Sequence, residues 1–250
     1  NTRIVSFEIG VMNVTIASVW QKMLLRCRKT ARTSEGMPML WSIHPRVNRK
    51  RAFWEQEGPR TESRCEMDIG KCTTFIDKNS RILDIGCGTG RILEQFANSG
   101  HIGHLCGIDW SRPSLNIART RTGKADLRVG DCRSLPYHEQ SFDACILSAV
   151  LTCFVKTKDV KDILTEAYRV LKPSGILLIT DFLLNPNMRN ILRYTIGFFL
   201  YHHIGAFWAG YEFHHFRIRE LRYLILSAGF EILEMAVLPV MSWRGHLETG

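Results

Sequence analysis

Residues 81–90, Arg-Ile-Leu-Asp-Ile-Gly-Cys-Gly-Thr-Gly, restrict the fold of this chain more than any other stretch. A short apolar run ends in three glycines spaced by single residues, and a helical pattern with apolar residues on one face begins at Arg91. Strand, glycine turn and helix form the first unit of a doubly wound α/β sheet, whose ligands bind beyond the carboxyl ends of the strands. Because glycine has no Cβ, its backbone can approach a nucleotide closely. The stretch therefore predicts a nucleotide-binding site.

The spacing of the glycines distinguishes two kinds of nucleotide site. A dinucleotide fingerprint reads G-x-G-x-x-G, and its third glycine would fall on Arg91 in this chain. The third glycine is Gly90 instead, which gives G-x-G-x-G shortly after the acid Asp84. This spacing argues against a nicotinamide-dependent dehydrogenase. A glycine-rich turn that holds no ligand stays an alternative for the motif taken alone.

The rest of the chain continues the alternation of strands and helices. Helical patterns lie at residues 113–121, 159–171 and 217–228, and strand patterns recur at 104–109, 127–131, 142–150, 176–180 and 230–238. This alternation predicts a doubly wound, mainly parallel α/β sheet of the seven-stranded type, with right-handed crossovers. A seventh strand is hard to find among residues 239–250. With 250 residues and 45% hydrophobic composition, the chain can bury the core of one large domain.

Charge divides the chain into two parts. Residues 1–64 hold 12 Lys or Arg against 5 Asp or Glu, whereas residues 65–250 are nearly neutral, with 21 against 19. We therefore assign residues 1–64 to a basic N-terminal extension and linker, and residues 65–250 to the main domain. A nucleic-acid-binding groove would need basic residues spread along the whole domain, so the near-neutral domain argues against nucleic acid as a partner.

The N-terminal extension has apolar residues at helical spacing from Ile9 to Met23, followed by basic residues between Arg26 and Arg32. A helix that covers the domain, a membrane-surface helix, a transit peptide and a disordered segment would all share this pattern. A secretory signal fits less well, because the charge follows the apolar part. Peripheral contact with a membrane therefore stays an open alternative, and no motif predicts the oligomeric state.

An aromatic-rich insertion interrupts the alternation after Asp181. Residues 194–216 hold nine of the chain's 13 Phe, 6 Tyr and 6 Trp residues, and four of its nine histidines. We expect residues 183–216 to form a lid over an apolar substrate. A transmembrane helix fits poorly there, because the uncharged stretch is short and has His202 and His203 in its middle.

The cysteines and histidines give no sign of a metal site. None of the eight cysteines forms a C-x-x-C pair, and several fall in predicted core strands. Free thiols in a cytoplasmic protein explain them better than disulfides or zinc ligands. The insertion's histidines occur as adjacent pairs with no acid at ligand spacing, so we expect no metal.

Residues 76–182 resemble, segment by segment, the small-molecule branch of the class I S-adenosylmethionine (SAM)-dependent methyltransferases. Motif I of that family, an acid and an apolar residue followed by G-x-G-x-G, matches residues 84–90. The family's acid at the end of the second strand matches Asp109. Residues 130–136, Gly-Asp-Cys-Arg-Ser-Leu-Pro, match its Gly-Asp-(small)-x-x-x-Leu-Pro, and residues 168–175, Tyr-Arg-Val-Leu-Lys-Pro-Ser-Gly, match the turn before the fifth strand.

The resemblance implies a Rossmann-like methyltransferase fold and S-adenosyl-L-methionine as the cofactor. In the family, the acid at the position of Asp109 accepts hydrogen bonds from both ribose hydroxyls, and the acid at the position of Asp131 lies at the adenine amino group. A carboxylate suits both tasks because it accepts two donors at once. The cofactor-binding residues expected on this basis are Asp84, Gly86, Cys87, Gly88, Gly90, Asp109, Trp110, Asp131, Cys132 and Ser148.

Methyl transfer is an in-line displacement that depends on positioning, because the sulfonium is already a good leaving group. A base is needed only when the acceptor is poorly ionised. The sequence offers four candidates for it, and packing within the lid is the simpler interpretation of the two histidines among them. These candidates are His214, His215, Tyr211 and Asp181.

The sequence therefore predicts a SAM-dependent methyltransferase of a small or lipid-like apolar acceptor. A methyltransferase of a protein or RNA, docked through the basic N-terminal segment, is one alternative, and a non-catalytic binding scaffold is another. Methyltransferases of the amines of nucleic-acid bases resemble one another in an Asp/Asn-Pro-Pro-Tyr/Phe motif at the end of the fourth strand. Residues 148–151 are Ser-Ala-Val-Leu instead, which argues against that substrate class.

Overall fold

The computed structural model describes residues 3–11, 51–52, 54–56, 58–60, 67–183 and 216–239. Residues 3–11, 60, 182–183 and 236–239 are described by the course of their backbone alone. Nearly all of the predicted lid at residues 183–216, and most of the predicted extension at residues 1–64, lie outside the described residues. The division of the chain between residues 64 and 65 stays a prediction.

Seven strands of the described chain form one sheet, in the order β4-β3-β2-β5-β6-β1-β7. The described pairings between neighbouring strands are parallel. The predicted doubly wound, parallel α/β sheet is therefore confirmed. The strands are β1 (Arg3–Val11), β2 (Ile82–Ile85), β3 (Leu105–Asp109), β4 (Asp126–Val129), β5 (Phe142–Ser148), β6 (Leu171–Leu183) and β7 (Phe230–Pro239).

The α-helices of the described chain begin where the sequence supplies a cap. The Ser111 side chain accepts a hydrogen bond from the backbone N–H of Ser114, and Pro113 occupies the first turn, where no amide hydrogen is needed. The helices are α1 (Ile69–Cys72), α2 (Arg91–Asn98), α3 (Arg112–Thr122), α4 (Thr157–Val170) and α5 (Ile218–Ser227). Short 3₁₀ turns lie at Gly58–Arg60 and Leu151–Cys153.

Helices cover both faces of the sheet. Successive residues of a strand point to opposite sides, so each strand contributes side chains to both layers of the core. On one face, Leu83 and Leu147 share a core cluster with residues of α4 and α5. On the other face, Ile82 and Ile146 pack with residues of α1 and α2. Strand β2 is buried along its whole length, as expected for a strand covered on both faces.

The strand order reverses between β2 and β5. From β2 the chain moves outward to β3 and β4, then returns to place β5 and β6 on the opposite side of β2. A crevice forms at such a reversal, because the connections on its two sides leave the sheet in opposite directions. The fold therefore places a ligand site beyond the carboxyl ends of β2 and β5.

Strand β1 differs from the sequence prediction. The apolar spacing predicted a helix beginning at Ile9, but Ile9 lies in β1 and pairs with Asp181 on β6 and Val237 on β7. The segment 3–11 is rich in β-branched residues, which suit a strand. Its partners β6 and β7 lie far along the chain, so local spacing could not predict that it pairs between them. The seventh strand thus comes from the N-terminal segment, and residues 240–250 lie outside the described residues.

A second difference concerns the predicted turn at residues 172–175. These residues lie within β6, where the register shifts between the pairs Phe142–Leu171 and Ala144–Ile176. Ser174 has a positive φ of 62°. The turn is therefore a bulge that interrupts the ladder without ending the strand.

No helix of the described residues is long and apolar enough to span a membrane. The cysteines among them are free thiols, five buried and one partly buried. Cys27 and Cys65 lie outside the described residues. No group of three or more His, Cys, Asp or Glu side chains with the geometry of a metal site occurs in this part of the chain.

Candidate active site

Five of the predicted site residues lie at the carboxyl edge of the sheet. Asp84 is the last residue but one of β2, Asp109 ends β3 and Ser148 ends β5. Asp131 follows β4, and Asp181 lies near the end of β6. Because the strands are parallel, residues separated by up to about a hundred positions come to the same edge. The structure thus gathers them around the reversal of strand order.

The glycine loop between β2 and α2 is held against β3. The backbone N–H groups of Gly86 and Cys87 donate to the carbonyl of Ile108, at 2.7 and 3.1 Å. Gly90 caps α2 in the left-handed conformation, with φ of 80°. A Cβ there would lie 2.9 Å from the Cβ of Ala118, so glycine is needed both for the backbone conformation and for the close approach of α3.

Gly88 has the opposite environment. Its φ is 52°, and a Cβ built on it would meet no described atom within 4 Å. The side of the loop at Gly88 is therefore open, whereas the side at Gly90 is packed against α3. An open face at the switch point is the place where a ligand can contact the loop backbone.

Asp109 connects the loop to the start of α3. Its Oδ2 accepts a hydrogen bond from the N–H of Gly88 at 2.9 Å, and its Oδ1 accepts one from the N–H of Ser111 at 2.8 Å. The carboxylate has four acceptor sites, so with the backbone N–H groups of Gly88, Ser111 and Trp110 as donors it retains capacity for a further donor. Burial raises the pKa of Asp109, and the hydrogen bonds from Ser111, Gly88 and Trp110 act in the opposite direction.

Asp84 is the most deeply buried of these acids, with 1% exposure. Burial and the nearby charge of Asp109 raise the pKa of Asp84 to about 7, although the charge of Arg91 lowers it. The Oδ2 atom of Asp84 is buried and has no hydrogen-bond partner among the described residues. A buried, unsatisfied carboxylate oxygen is costly, and a cationic or hydrogen-bonding ligand would relieve that cost.

Asp131 is held by Arg133, two residues further along the chain. Nη2 of Arg133 donates to Oδ2 of Asp131 at 2.7 Å, and Nε of Arg133 lies 3.1 Å from Oδ1 and 3.2 Å from Oδ2. Partial burial acts to raise the pKa of Asp131, but the hydrogen bonds and charge of Arg133 outweigh it and hold that pKa below its usual value. Asp131 is therefore an ionised acceptor at neutral pH.

Two aromatic rings lie beside this ion pair. Trp110 and Phe154 pack edge to face, with ring centroids 5.8 Å apart and an interplanar angle of 70°. The guanidinium carbon of Arg133 lies 5.5 Å from the centroid of Trp110. Trp110 follows Asp109 directly, so the ring is carried to the carboxyl edge by β3.

Comparison with known proteins shows the family. A model described as a methyltransferase domain matches residues 83–179. A demethylmenaquinone methyltransferase of Thermotoga maritima is 30% identical over 158 residues, which cover 62% of this chain and 67% of that relative. An O-methyltransferase of Aspergillus nomiae is 30% identical over 157 residues, 57% of this chain and 67% of that protein. The chain belongs to the class I SAM-dependent methyltransferases.

A solved structure agrees with this assignment. A SAM-dependent methyltransferase from Methanosarcina mazei superposes with a TM-score of 0.61 at 29% sequence identity, covering 71% of this chain and 92% of that chain. The cofactor of this methyltransferase is therefore S-adenosylmethionine, as its family implies.

The described residues of the methyltransferase fit this cofactor. Asp109 retains acceptor capacity beside its three backbone donors, which suits a hydroxyl donor of a ribose diol. The loop is open at Gly88. The buried Oδ2 of Asp84 and Oγ of Ser148 have no partner among the described residues, and both lie at the strand reversal. These groups would bind the cofactor through hydrogen bonds and through attraction between carboxylates and the cationic sulfur.

Two of the predicted cofactor-binding residues face the core. Cys87 packs in a buried cluster with Leu93 and Leu115, and Cys132 belongs to the main core cluster of the sheet. Burial raises the pKa of both thiols, so neither is a thiolate at neutral pH. Any contact of Cys87 or Cys132 with the cofactor would therefore come from the main chain.

The candidates for a base divide into two groups. Tyr211, His214 and His215 lie outside the described residues, so their roles stay predictions. Asp181 is fully buried in β6, and its Oδ2 accepts a hydrogen bond from the N–H of Thr152 at 3.2 Å. This contact holds the 3₁₀ turn Leu151–Cys153 against β6.

Arg133 and Phe154 are two residues at the site that were not predicted from the sequence. Arg133 occurs within the matched segment 130–136, at a position where the family pattern allows any residue. Its position two residues after Asp131 was the one local feature that could have predicted an ion pair between them. Phe154 has no local signal, because its contact with Trp110 joins the loops after β5 and β3.

Proposed function

We propose that this methyltransferase transfers the methyl group of SAM to a small or lipid-like apolar acceptor. The observation that carries the cofactor part of the proposal is the geometry of Asp109, which holds the loop at Gly88 and the start of α3 while keeping acceptor capacity for a further donor. The acceptor part rests on the aromatic composition of residues 194–216 and on the names of two relatives.

One of those names gives an acceptor, and the other gives only the acceptor atom. The Thermotoga maritima relative is named for demethylmenaquinone, and the Aspergillus nomiae relative is named for transfer to oxygen. An insertion rich in Phe, Tyr and Trp would suit an apolar acceptor, because aromatic side chains bury large apolar areas and still offer polar tips.

The basic charge of residues 1–64 favours a second candidate function, which is methyl transfer to a protein or RNA.

SAM supplies a methyl group on a cationic sulfur, and this sulfur leaves as a neutral thioether when the acceptor attacks in line. The protein's part is mainly positioning. Asp109 would orient the ribose, and Asp131 would accept from the adenine amine. The ionised form of Asp84 would attract the cationic sulfur of the cofactor. This attraction would be strong because Asp84 is buried, where the dielectric constant is low.

A proton must leave the acceptor when its nucleophile is an alcohol or a phenol. Asp181 remains a candidate for this base because it lies near the carboxyl end of β6, at the edge where the other site residues lie. Its contact with Thr152 also gives it a structural role. Replacing Asp181 by Asn separates these roles. If Asp181 is the base, the variant should have a lower kcat with a changed pH profile. If Asp181 is structural, the variant should have a lower melting temperature.

The cofactor part is tested by calorimetric titration of SAM and S-adenosylhomocysteine (SAH). Asp109→Ala should weaken both by about 30-fold, because losing a charged bidentate contact costs on the order of 2 kcal/mol. Asp126→Ala is the matched control, since Asp126 starts β4 and its exposed carboxylate pairs with Arg128, two residues away. Well-folded wild-type protein that binds neither ligand would contradict the proposal.

The acceptor part is tested by the destination of a labelled methyl group. The protein is incubated with methyl-labelled SAM and, separately, with a total lipid extract, purified RNA or a protein extract. We expect label in the organic-soluble product of the lipid reaction. Label in acid-precipitable RNA or protein would favour the polymer acceptor, and replacing Arg26, Arg28, Lys29 and Arg32 by Ala, which leaves β1 intact, should then remove polymer affinity.

A further inference from the structure

The Arg133 side chain is enclosed on its edges by two carboxylates. Besides its contacts with Asp131, Nη1 of Arg133 donates to Oδ1 of Asp159 at 3.0 Å. Asp159 lies in the first turn of α4, whereas Asp131 follows β4. The Arg133 side chain is 19% exposed, so both ion pairs are largely shielded from solvent. The guanidinium therefore ties the loop after β4 to the start of α4.

The carbon of the same guanidinium lies over two aromatic rings. This carbon is 5.5 Å from the centroid of Trp110 and 5.9 Å from that of Phe154. Cations are attracted to the faces of aromatic rings, and Trp is the strongest partner. Arg133 is thus fixed by two acids and two rings that come from four separate segments, and it cannot move without breaking several of these contacts.

This arrangement fixes the Asp131 carboxylate as well. The backbone N–H of Arg133 donates to Oδ1 at 2.9 Å, and the side chain contacts both oxygens. The Nε proton is shared between the two oxygens, and the Trp110 side chain donates a further hydrogen bond to the same carboxylate. The Asp131 side chain is still 34% exposed, which leaves part of the carboxylate accessible to a ligand.

We propose that Arg133 is a positioning residue that fixes Asp131 and Trp110 so that the site selects a purine ring with an exocyclic amine. The inference rests on the proposed binding of the SAM adenine amine at Asp131. An amine requires an acceptor, and Arg133 keeps Asp131 ionised and in one orientation. Because the Asp131 carboxylate is already held in one orientation, it loses little conformational freedom when the amine binds. The lysine variant retains the charge but not the fork that contacts both oxygens.

The test compares SAH with S-inosylhomocysteine, which has a carbonyl oxygen in place of the adenine amine. Both are titrated into wild type and Arg133→Lys. Wild type should prefer SAH. Arg133→Lys should weaken SAH about tenfold, the size of one hydrogen bond to a charged group, while the affinity for S-inosylhomocysteine changes less than about twofold. The preference for the amine is the quantity that reports positioning.

Arg128→Lys is the matched control. Arg128 also pairs with an aspartate two residues before it, Asp126, and its guanidinium carbon lies 4.8 Å from the ring of Tyr137. It belongs to β4 and lies outside the glycine-loop and Asp131 contacts, so both affinities should stay at the wild-type value. Asp159→Asn is a second test variant, because it removes one anchor of Arg133 and leaves Asp131 intact; it should reduce the preference in the same direction.

Three outcomes would overturn the inference. Equal weakening of both ligands by Arg133→Lys would show that Arg133 only supports the fold. Unchanged affinities for both ligands would show that Asp131 needs no such support, and tighter SAH binding would show that Arg133 competes with the amine. Failure of wild type to bind SAH at all is a different result, because it contradicts the proposed function itself.

Discussion

Three aspartates at the strand ends carry the same side chain but titrate differently. Burial and the charge of Asp109 raise the pKa of Asp84 to about 7, and burial raises that of Asp109 against three hydrogen bonds. For Asp131, partial burial acts upward, but Arg133 brings the pKa below its usual value. The neighbours of each carboxylate, rather than its position in a motif, thus determine its charge near pH 7.

The raised pKa of Asp84 predicts a pH-dependent cost in stability. Between an unfolded value of about 4 and the folded value of about 7, the folded state binds more protons than the unfolded state. The contribution of Asp84 therefore becomes less favourable as the pH rises through this range. At pH 8, above both values, the buried charge should cost about 4 kcal/mol.

Asp84→Asn should consequently raise the free energy of unfolding of the ligand-free protein at pH 8 by about 1–3 kcal/mol, because the new amide is itself incompletely hydrogen-bonded. The gain should disappear near pH 4. Urea unfolding at both pH values measures it, with Asp126→Asn as the exposed control. A variant that is less stable than wild type at pH 8 would contradict the burial argument.

The same group should make SAM binding depend on pH. Since the ionised form of Asp84 attracts a cation, wild-type affinity for SAM should fall about tenfold between pH 8 and pH 6, as most of the carboxyl becomes protonated. Asp84→Asn should bind SAM weakly, with little change over this range. Calorimetry at the two pH values measures both, and an equally steep profile in the variant would assign the effect to another group.

At the scale of elements, the glycine loop divides its duties between two positions. Gly90 begins α2 and lets α3 approach, whereas Gly88 leaves the loop open toward the strand reversal. Both have positive φ values, so both need glycine for the backbone. Only the open position has room that a ligand can fill.

Gly88→Ala should therefore weaken SAH binding more than it lowers stability. The positive φ costs about 1 kcal/mol for an alanine, and the added methyl group would occupy the ligand's side of the loop. Gly100→Ala is the matched control: its φ is 84° and its Cβ also meets no described atom within 4 Å, but it follows α2 at the far end. Thermal melts and titrations of both variants should show similar stability losses and a binding loss at Gly88 alone.

At the scale of the whole molecule, β1 joins the N-terminal segment to the main sheet. It pairs with β6 on one side and β7 on the other, over nearly its full length. A strand in that position supplies ladder hydrogen bonds to two neighbours. Its loss would leave facing edges of β6 and β7 without a partner between them.

Ser6→Pro tests this placement. Ser6 pairs with Leu178 and Glu234, and proline removes a backbone N–H from the middle of the strand. We expect a loss of about 3 kcal/mol or more in the free energy of unfolding, measured by urea titration, while Ser6→Ala should stay close to wild type. Equal stability of the two variants would show that β1 is not required by the sheet.

Local patterns were sufficient for the type of fold and for most of the strand-end residues. The alternation of periods, the glycine spacing and the acids at strand ends are properties of neighbouring residues, and they predicted the parallel sheet and placed Asp84, Asp109 and Asp131 at its carboxyl edge.

Contacts between distant segments decided the rest. The place of β1 depends on ladders such as Ile4 with Ile176, and the partners of Arg133 include Asp159, 26 residues away. The raised pKa of Asp84 depends on burial between the layers. These features arise only when the chain folds. Strand pairing, burial and the charges around a residue depend on which segments meet in space, and not on the order of residues within any one segment.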